Sequence, residues 1–162
     1  MISNSNTNKF KILFVCLGNI CRSPAAHGTM LQIIKEKKLT DQIEVDSCGT
    51  GSYHIGSSPD ERMIKAANQR GIKLAHKSRR ITKDDFNKFD LIVTMDNRNY
   101  GKVLSLGGNK SQVKKMIWFV YDKQGCYEIP DPYYGGEEGF DLVLDLVYDG
   151  CIGILKQYGF IK

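Results

Sequence analysis

Hydrophobic and polar positions along the chain predict strands that alternate with helices. Residues 12–15 and 91–95 are almost continuously apolar and have strand length, which is typical of strands buried on both faces. Residues 43–47 alternate between apolar and polar side chains and predict another strand. A fourth strand is predicted within residues 113–119, with residues 116–119 as its apolar part.

Helical patterns fill the intervals between these strands. The first is predicted for residues 23–37, with Ser23 as N-cap and Pro24 at the first helical position. The second is predicted to begin at Ser58 and to stop at Gly71. Further helices are predicted from Thr82, after Asp96 and over residues 140–158.

This alternation predicts a single-domain α/β fold with an open four-stranded parallel sheet and helices on both faces. Ligands bind such sheets beyond the carboxyl ends of the strands. Four polar residues follow predicted strands, directly or after a loop: Cys16, Ser47, Asp96 and Asp131. We therefore expect them to gather at one edge of the sheet.

Composition narrows the class of protein. The chain has 162 residues, 41% of them hydrophobic and 25% charged, as in an ordinary globular domain. No apolar run approaches a membrane span, and we expect residues 1–9 to form a flexible tail before a domain of residues 10–162. The five irregularly spaced cysteines favour a reducing compartment, so the expected location is cytoplasmic.

The net charge of +5 does not by itself indicate a nucleic-acid partner. Nucleic-acid-binding domains gather basic residues on one face. Here the lysines are spread through the chain, and the densest basic run, residues 76–80, is short. We therefore expect no nucleic-acid partner.

Residues 15–24, with the sequence VCLGNICRSP, carry the candidate chemistry. A tight loop between a strand and a helix presents backbone N–H groups and a helix N-terminus, which together bind anions. Cys16 begins the loop, where such donors favour the thiolate, and Arg22 ends it with a guanidinium that matches two phosphate oxygens. Gly18 and Asn19 are residue types that tolerate the backbone of a tight loop.

Asp131 is the best candidate for a proton donor. It lies between Pro130 and Pro132 in a loop that we expect to be rigid and to reach the same edge of the sheet. Partial desolvation by the prolines, together with nearby negative charge, would keep its carboxyl protonated and ready to protonate a leaving group.

The motif Cys-x5-Arg-Ser after a strand resembles the phosphate loop of protein tyrosine phosphatases. The fuller string VCLGNICRSP, with the late sequence Asp-Pro-Tyr-Tyr-Gly at 131–135, resembles the low-molecular-weight protein tyrosine phosphatase family. The similarity extends from about Phe10 to the C-terminal helix. It includes the pairs 46–47, 59–60 and 95–96 and the segment 76–79. The resemblance implies a phosphotyrosine phosphatase I-like fold with flavodoxin-like winding.

The resemblance also implies a mechanism. Cys16 would attack phosphorus to give a cysteinyl phosphate, while Asp131 protonates the tyrosine oxygen and later acts as base toward water. Arg22 would bind the phosphate through its side chain. The backbone N–H groups implied in phosphate binding are those of Leu17, Gly18, Asn19, Ile20, Cys21 and Arg22.

Supporting roles follow from the same resemblance. Ser23 would donate a hydrogen bond to the Cys16 sulfur, and Asn19, held in a strained conformation by Ser47 and His76, would keep the loop in shape. The walls of an aryl phosphate pocket would be Leu17, Ile20, Tyr53, Tyr133 and Tyr134. The expected partners are phosphotyrosine-containing proteins or small aryl phosphates, with inorganic phosphate as product and inhibitor. No cofactor is expected; the sequence shows no metal-ligand cluster, and a thiolate mechanism needs no metal.

Several positions invite separate hypotheses. Tyr53 stands where many relatives have tryptophan, which leaves substrate preference open. His27 and Gly28 replace a more usual acidic residue and alanine, with little consequence expected for the chemistry. Cys21 is a possible redox partner that would form a reversible disulfide with Cys16. Tyr133 and Tyr134 are candidate phosphorylation sites.

Two other functions remain open from the residues. A thiol-dependent arsenate reductase shares this fold and loop but needs a relay of further cysteines, whereas Cys48, Cys126 and Cys151 are scattered here. A catalytically inactive phosphotyrosine-binding module would need a defect in a site that has the nucleophile, the arginine and the acid.

Overall fold

The computed structural model describes residues 8–162. Residues 1–7 of the predicted tail lie outside the described residues. The predicted sheet is confirmed: its strands are β1 (Phe10–Cys16), β2 (Ile43–Gly49), β3 (Leu91–Thr94) and β4 (Val113–Lys115). All pairings are parallel, in the spatial order β2-β1-β3-β4. The carboxyl ends of the strands therefore meet at one edge.

Within residues 8–162, five α-helices and one short 3-10 helix cover the sheet. They are α1 (Arg22–Glu36), α2 (Glu61–Asn68), α3 (Lys83–Lys88), α4 (Asn97–Ser105), the 3-10 helix Met116–Phe119 and α5 (Glu137–Gln157). None of the helices within residues 8–162 is long and apolar enough to cross a membrane.

The central strand β1 explains why helices lie on both faces. Its side chains alternate between two hydrophobic clusters because successive residues of a strand point to opposite faces. Ile12 and Phe14 pack in the larger cluster, which includes residues of α1 and α5. Leu13 and Val15 pack in the smaller one, with residues of α3 and α4 around it. All four are fully buried.

The predicted N-cap of the first helix is wrong. The helix begins at Arg22 with Cys21 as N-cap, so Ser23 lies inside the first turn. The Ser23 hydroxyl is instead hydrogen-bonded to the Cys16 sulfur at 3.0 Å. Pro24 is tolerated because an N–H group in the first turn has no helical partner.

The predicted start of the second helix is also wrong. Asp60, not Ser58, is the N-cap of α2, and its carboxylate accepts a hydrogen bond from the Arg62 N–H at 2.8 Å. The Asp60 N–H donates to the Ile20 carbonyl at 2.8 Å, which holds the chain before α2 extended against the loop. The helix ends at Asn68, and Gly71 follows with a φ of 73°.

The fourth strand is shorter than predicted. It ends at Lys115, and the apolar residues Met116–Phe119 form the 3-10 helix. This turn buries Met116 and Ile117 but leaves Trp118 half exposed. The helices predicted from Thr82 and after Asp96 are confirmed, and both residues form capping boxes.

Candidate active site

Cys16 is the last residue of β1, at the edge where the strands end. Only 2% of its surface is exposed. Its sulfur is 3.0 Å from the Ser23 hydroxyl and accepts a hydrogen bond from the Asn19 N–H at 3.3 Å. Both groups can donate a hydrogen bond to the sulfur when it is a thiolate.

The loop after Cys16 is held by hydrogen bonds to its carbonyl groups. Five carbonyls accept from the surrounding protein: Cys16 from Thr50 N–H (2.9 Å), Leu17 from Gly51 N–H (2.9 Å), Gly18 from the Ser78 hydroxyl (2.9 Å), Ile20 from Asp60 N–H (2.8 Å) and Cys21 from Ala25 N–H (3.1 Å). In a trans peptide the N–H is directed opposite to the C=O. The N–H groups that follow these carbonyls are therefore directed to the inner side of the loop. They belong to five of the six residues expected to bind phosphate.

Gly49 allows this loop to approach β2. A Cβ atom at position 49 would lie 2.6 Å from the Leu17 carbonyl oxygen and 3.1 Å from the Asn19 nitrogen. Any side chain there would push the loop away from the sheet. The glycine is thus a packing requirement of the loop.

Asn19 is the structural centre of the loop. It adopts φ 56° in the left-handed region and is almost fully buried. Its Nδ2 donates to the hydroxyls of Ser23 (2.8 Å) and Ser47 (3.1 Å). Its Oδ1 contacts His76 Nε2 (3.1 Å) and accepts from the Arg79 N–H (3.1 Å). The structure therefore brings the predicted supporting residues together around Asn19.

Arg22 is buried beside the thiol, with 3% of its side chain exposed. Its NH1 donates to Asp96 at 2.6 Å and to the Ile129 carbonyl at 3.2 Å, while its NH2 lies 3.5 Å from the Asp131 carboxylate. Burial alone would lower the pKa of the guanidinium, but Cys16 and Asp96 raise it above its ordinary value. The arginine is therefore a permanent positive charge of fixed orientation.

Asp131 reaches the same site. Its side chain is 38% exposed, so it is only partly removed from solvent. One carboxylate oxygen accepts a hydrogen bond from the Tyr133 N–H at 3.1 Å, and the other faces Arg22. The arginine and the loop backbone therefore orient this group.

A cavity of about 450 Å³ opens over these groups. Its lining includes Cys16, Arg22 and Asp131, together with all five predicted wall residues: Leu17, Ile20, Tyr53, Tyr133 and Tyr134. Tyr53 and Tyr134 are strongly exposed, whereas Ile20 is nearly buried. The cavity thus has a polar floor and an open aromatic rim.

Sequence reasoning missed several contributors. Asp96 was expected at this edge of the sheet, but its role as the closest partner of Arg22 was not predicted. Its place directly after β3, at the edge shared with Cys16, was the available signal. His54 lines the cavity, and Arg62 donates to the Tyr133 carbonyl at 3.0 Å. No pattern in the sequence indicated either residue.

Cys21 lies beside Cys16 in the same lining. Burial, followed by the nearby Asp60 carboxylate, raises the pKa of its thiol well above the ordinary value. Cys21 is therefore a neutral thiol at neutral pH. The proposed disulfide with Cys16 stays a prediction, since both cysteines are free here.

Both a family model and known proteins match most of the chain. The family model described as low molecular weight phosphotyrosine protein phosphatase matches residues 11–159. A putative low molecular weight protein-tyrosine-phosphatase from Synechocystis sp. is 46% identical over 151 residues, which cover 92% of this chain and 96% of the relative.

Solved structures agree with this match. The crystal structure of a protein tyrosine phosphatase from Entamoeba histolytica, with Hepes in the active site, has a TM-score of 0.87 and 42% identity, and the match covers 94% of this chain and all of that one. The crystal structure of DARP, described as a Drosophila arginine phosphatase, has a TM-score of 0.83 and 32% identity, with coverage of 91% and 97%.

Proposed function

The chain belongs to the low molecular weight phosphotyrosine protein phosphatase family, and we propose that it hydrolyses phosphotyrosine through Cys16, Arg22 and Asp131. We assign these roles because the three residues line one cavity, and the buried Cys16 thiol lies at its floor. Small aryl phosphates are substrates of the same site. The residues that form the catalytic domain are 10–162.

In the first step the Cys16 thiolate attacks phosphorus, and the bond from phosphorus to the tyrosine oxygen breaks. Asp131, protonated at this stage, transfers its proton to that oxygen, so the leaving group departs as a neutral phenol. The inward N–H groups and Arg22 stabilise the charge on the equatorial phosphoryl oxygens. Asp96 supports this role because it holds one side of the guanidinium in place.

In the second step water attacks the cysteinyl phosphate. Asp131, now a carboxylate, takes a proton from the water, and the sulfur–phosphorus bond breaks to release inorganic phosphate. The Ser23 hydroxyl, 3.0 Å from the sulfur, stabilises the departing thiolate. Inorganic phosphate is therefore also an inhibitor that competes for the same donors.

The arrangement of the rim supports an aryl substrate. Leu17, Ile20 and Tyr133 place apolar surface above the phosphate donors, where an aromatic ring can stack. A phosphorylated serine is too short to bring its phosphate to the sulfur while using these walls. Tyr53 forms part of the rim in place of the tryptophan of many relatives and contributes to substrate choice.

The positions of the cysteines and charged residues favour neither an arsenate reductase nor an inactive phosphotyrosine-binding module. Cys48 and Cys151 are fully buried, and burial raises the pKa of both thiols, so they are poorly placed for the disulfide relay of an arsenate reductase. The presence of the nucleophile, the arginine and the acid in one cavity argues against an inactive binding module. The expected location is the cytoplasm, with phosphotyrosine-containing proteins as partners and no nucleic acid.

The test is hydrolysis of p-nitrophenyl phosphate and of a phosphotyrosine peptide by the wild type, Cys16→Ser and Asp131→Asn. Cys16→Ser should give no turnover. Asp131→Asn should lose about 10²–10⁴-fold in kcat, and more for the peptide than for p-nitrophenyl phosphate, because the phenol of tyrosine needs the proton more. Turnover in Cys16→Ser would refute the mechanism. A phosphoarginine peptide and arsenate, assayed in parallel, should be poor substrates.

A further inference from the structure

We propose that His27, Asp46 and His76 form a binding site for Zn²⁺, or a similar divalent transition metal, directly behind the phosphate loop. One ligand atom from each of the three residues lies within 4.8 Å of the other two. The two imidazole rings meet edge to face with their centroids 5.0 Å apart. Two imidazoles and a carboxylate are a common ligand set for zinc, with bonds of about 2.0–2.2 Å, so binding requires a modest contraction.

His76 presents a free lone pair toward this point. Its Nε2 contacts Asn19 Oδ1, which can only accept, so Nε2 carries the ring proton. Its Nδ1 then faces the Asp46 carboxylate at 3.6 Å with no proton between them. A cation would turn this repulsive contact into two bonds, while Asn19 Oδ1 accepts the Nε2 proton and orients the ring.

His27 can supply the second nitrogen. Its Nδ1 is 3.0 Å from the Ser47 hydroxyl, which leaves Nε2 for a metal. Metal binding through Nε2 then requires the tautomer of His27 that carries its proton on Nδ1.

The surrounding charge permits a divalent cation. Asp46 Oδ2 pairs with Arg79 at 2.9 Å, and the same guanidinium pairs with Asp85 at 2.9 Å. These three groups together carry a net charge of −1. Asp46 Oδ1, the oxygen nearer His76, accepts only the Ser47 N–H at 2.8 Å among the hydrogen bonds of the described residues. It therefore retains a lone pair for the metal.

A cleft reaches the two imidazoles of this site. It has a volume of about 880 Å³, lies between α1 and residues 71–76, and is lined by both His27 and His76. Gly28 allows this packing, because a Cβ there would lie 3.1 Å from the Lys73 carbonyl oxygen and would also collide with Leu74. The departure at positions 27 and 28 thus supplies the extra imidazole and lets residues 72–74 pack closely against α1.

Metal binding should change the hydrogen bonds beneath Asn19. If His27 Nε2 binds the metal, its Nδ1 must carry the proton and donate to the Ser47 oxygen. That oxygen already accepts from Asn19 Nδ2 at 3.1 Å. The Ser47 hydroxyl then loses His27 as the acceptor for its own proton, and the support of Asn19 weakens. We therefore expect metal to lower kcat without competing with phosphate.

The binding test uses the full chain with Cys16→Ser, so that the reactive thiolate cannot hold the metal and phosphatase activity is irrelevant. Titration with Zn²⁺ by calorimetry, and with Co²⁺ by visible absorption, should show one site without a sulfur charge-transfer band. Adding His27→Gln, or separately Asp46→Asn, should weaken binding at least about tenfold. His54→Gln, which removes the imidazole at the catalytic cavity, is the matched control and should leave the affinity unchanged. Equal binding by the His27→Gln and parent proteins would overturn the proposal.

The kinetic test uses the protein with Cys16 intact. Zn²⁺ should lower kcat for p-nitrophenyl phosphate in the wild type and in His54→Gln, with inhibition that added inorganic phosphate does not relieve. Relative to its own metal-free rate, His27→Gln should be resistant. Inhibition that phosphate relieves, or that persists in His27→Gln, would assign the effect to the catalytic thiol and refute the coupling.

Discussion

Replacement of Asn19 isolates the contribution of the phosphate loop's internal support. Four hydrogen bonds meet at this side chain, two donated by Nδ2 and two received by Oδ1. Each contributes about 1 kcal/mol net to stability, so Asn19→Gly should lower the free energy of unfolding by about 4 kcal/mol. That is a large part of the 5–15 kcal/mol typical of a domain.

Asn19→Ala separates the cost of backbone strain at this position from the loss of the side-chain hydrogen bonds. The residue sits at φ 56°, where a glycine is unstrained but an alanine is not. Asn19→Ala should therefore be about 1–2 kcal/mol less stable than Asn19→Gly. Urea unfolding of the three proteins measures both differences.

Asn19→Asp tests whether the network also acts on the nucleophile. It keeps the acceptor for His76 and Arg79 but replaces the donor Nδ2 with a second carboxylate oxygen. The Ser23 hydroxyl can then donate to this oxygen instead of the Cys16 sulfur. We expect this variant to lose less stability than Asn19→Gly but to alkylate more slowly with iodoacetamide at a given pH, because less thiolate is present.

Two results would refute this reasoning. If the free energy of unfolding of Asn19→Gly is within about 0.5 kcal/mol of the wild-type value, the four hydrogen bonds do not stabilise the fold. If Asn19→Asp alkylates at the rate of the wild type, Ser23 and Asn19 do not control ionisation of Cys16.

Three further predictions address other parts of the molecule. Mild peroxide should link Cys16 to Cys21, and intact-protein mass spectrometry with peptide mapping should find the disulfide; its absence from the inactivated protein would contradict the redox hypothesis. The pKa of His27 is about 4 in the fold against 6.5 unfolded, so the unfolded chain binds more protons between these values. Stability should therefore fall by up to about 3 kcal/mol as the pH drops through this window, and the slope should be smaller in His27→Gln, as measured by urea unfolding across pH. Gly153→Ala should destabilise the protein by about 1–3 kcal/mol in thermal melts, because its Cβ would collide with the Phe119 carbonyl; an unchanged melting temperature would show that this contact relaxes freely.

The sheet was predictable from the sequence because strands buried on both faces leave a strong apolar signal. Leu91–Thr94 is fully buried, as its composition indicated. The fourth strand was overextended because an apolar run does not distinguish a strand from a 3-10 turn. Only the contacts of Met116 and Ile117 with the core, seen in three dimensions, decide between them.

The candidate catalytic residues could be named from the sequence because their spacing in the loop carries chemical meaning, but their surroundings could not be predicted. The predicted caps at Ser23 and Ser58 failed for the same reason: tertiary contacts override local capping. The Ser23 hydroxyl is used by the sulfur, and the segment after Ser58 is held by the Ile20 carbonyl. Partners such as Asp96, distant in sequence from Arg22, leave no local pattern.

The carbonyl contacts of the phosphate loop limit how far this catalytic unit can be transplanted. Ten residues, 15–24, contain the nucleophile and the arginine, yet the outward carbonyls rely on Thr50, Gly51, Asp60 and Ser78. Grafted onto another strand and helix, the same decapeptide would keep its thiol and guanidinium, but its peptide planes would be free to rotate. An engineered phosphatase built from this motif would need those anchoring segments as well as the signature sequence.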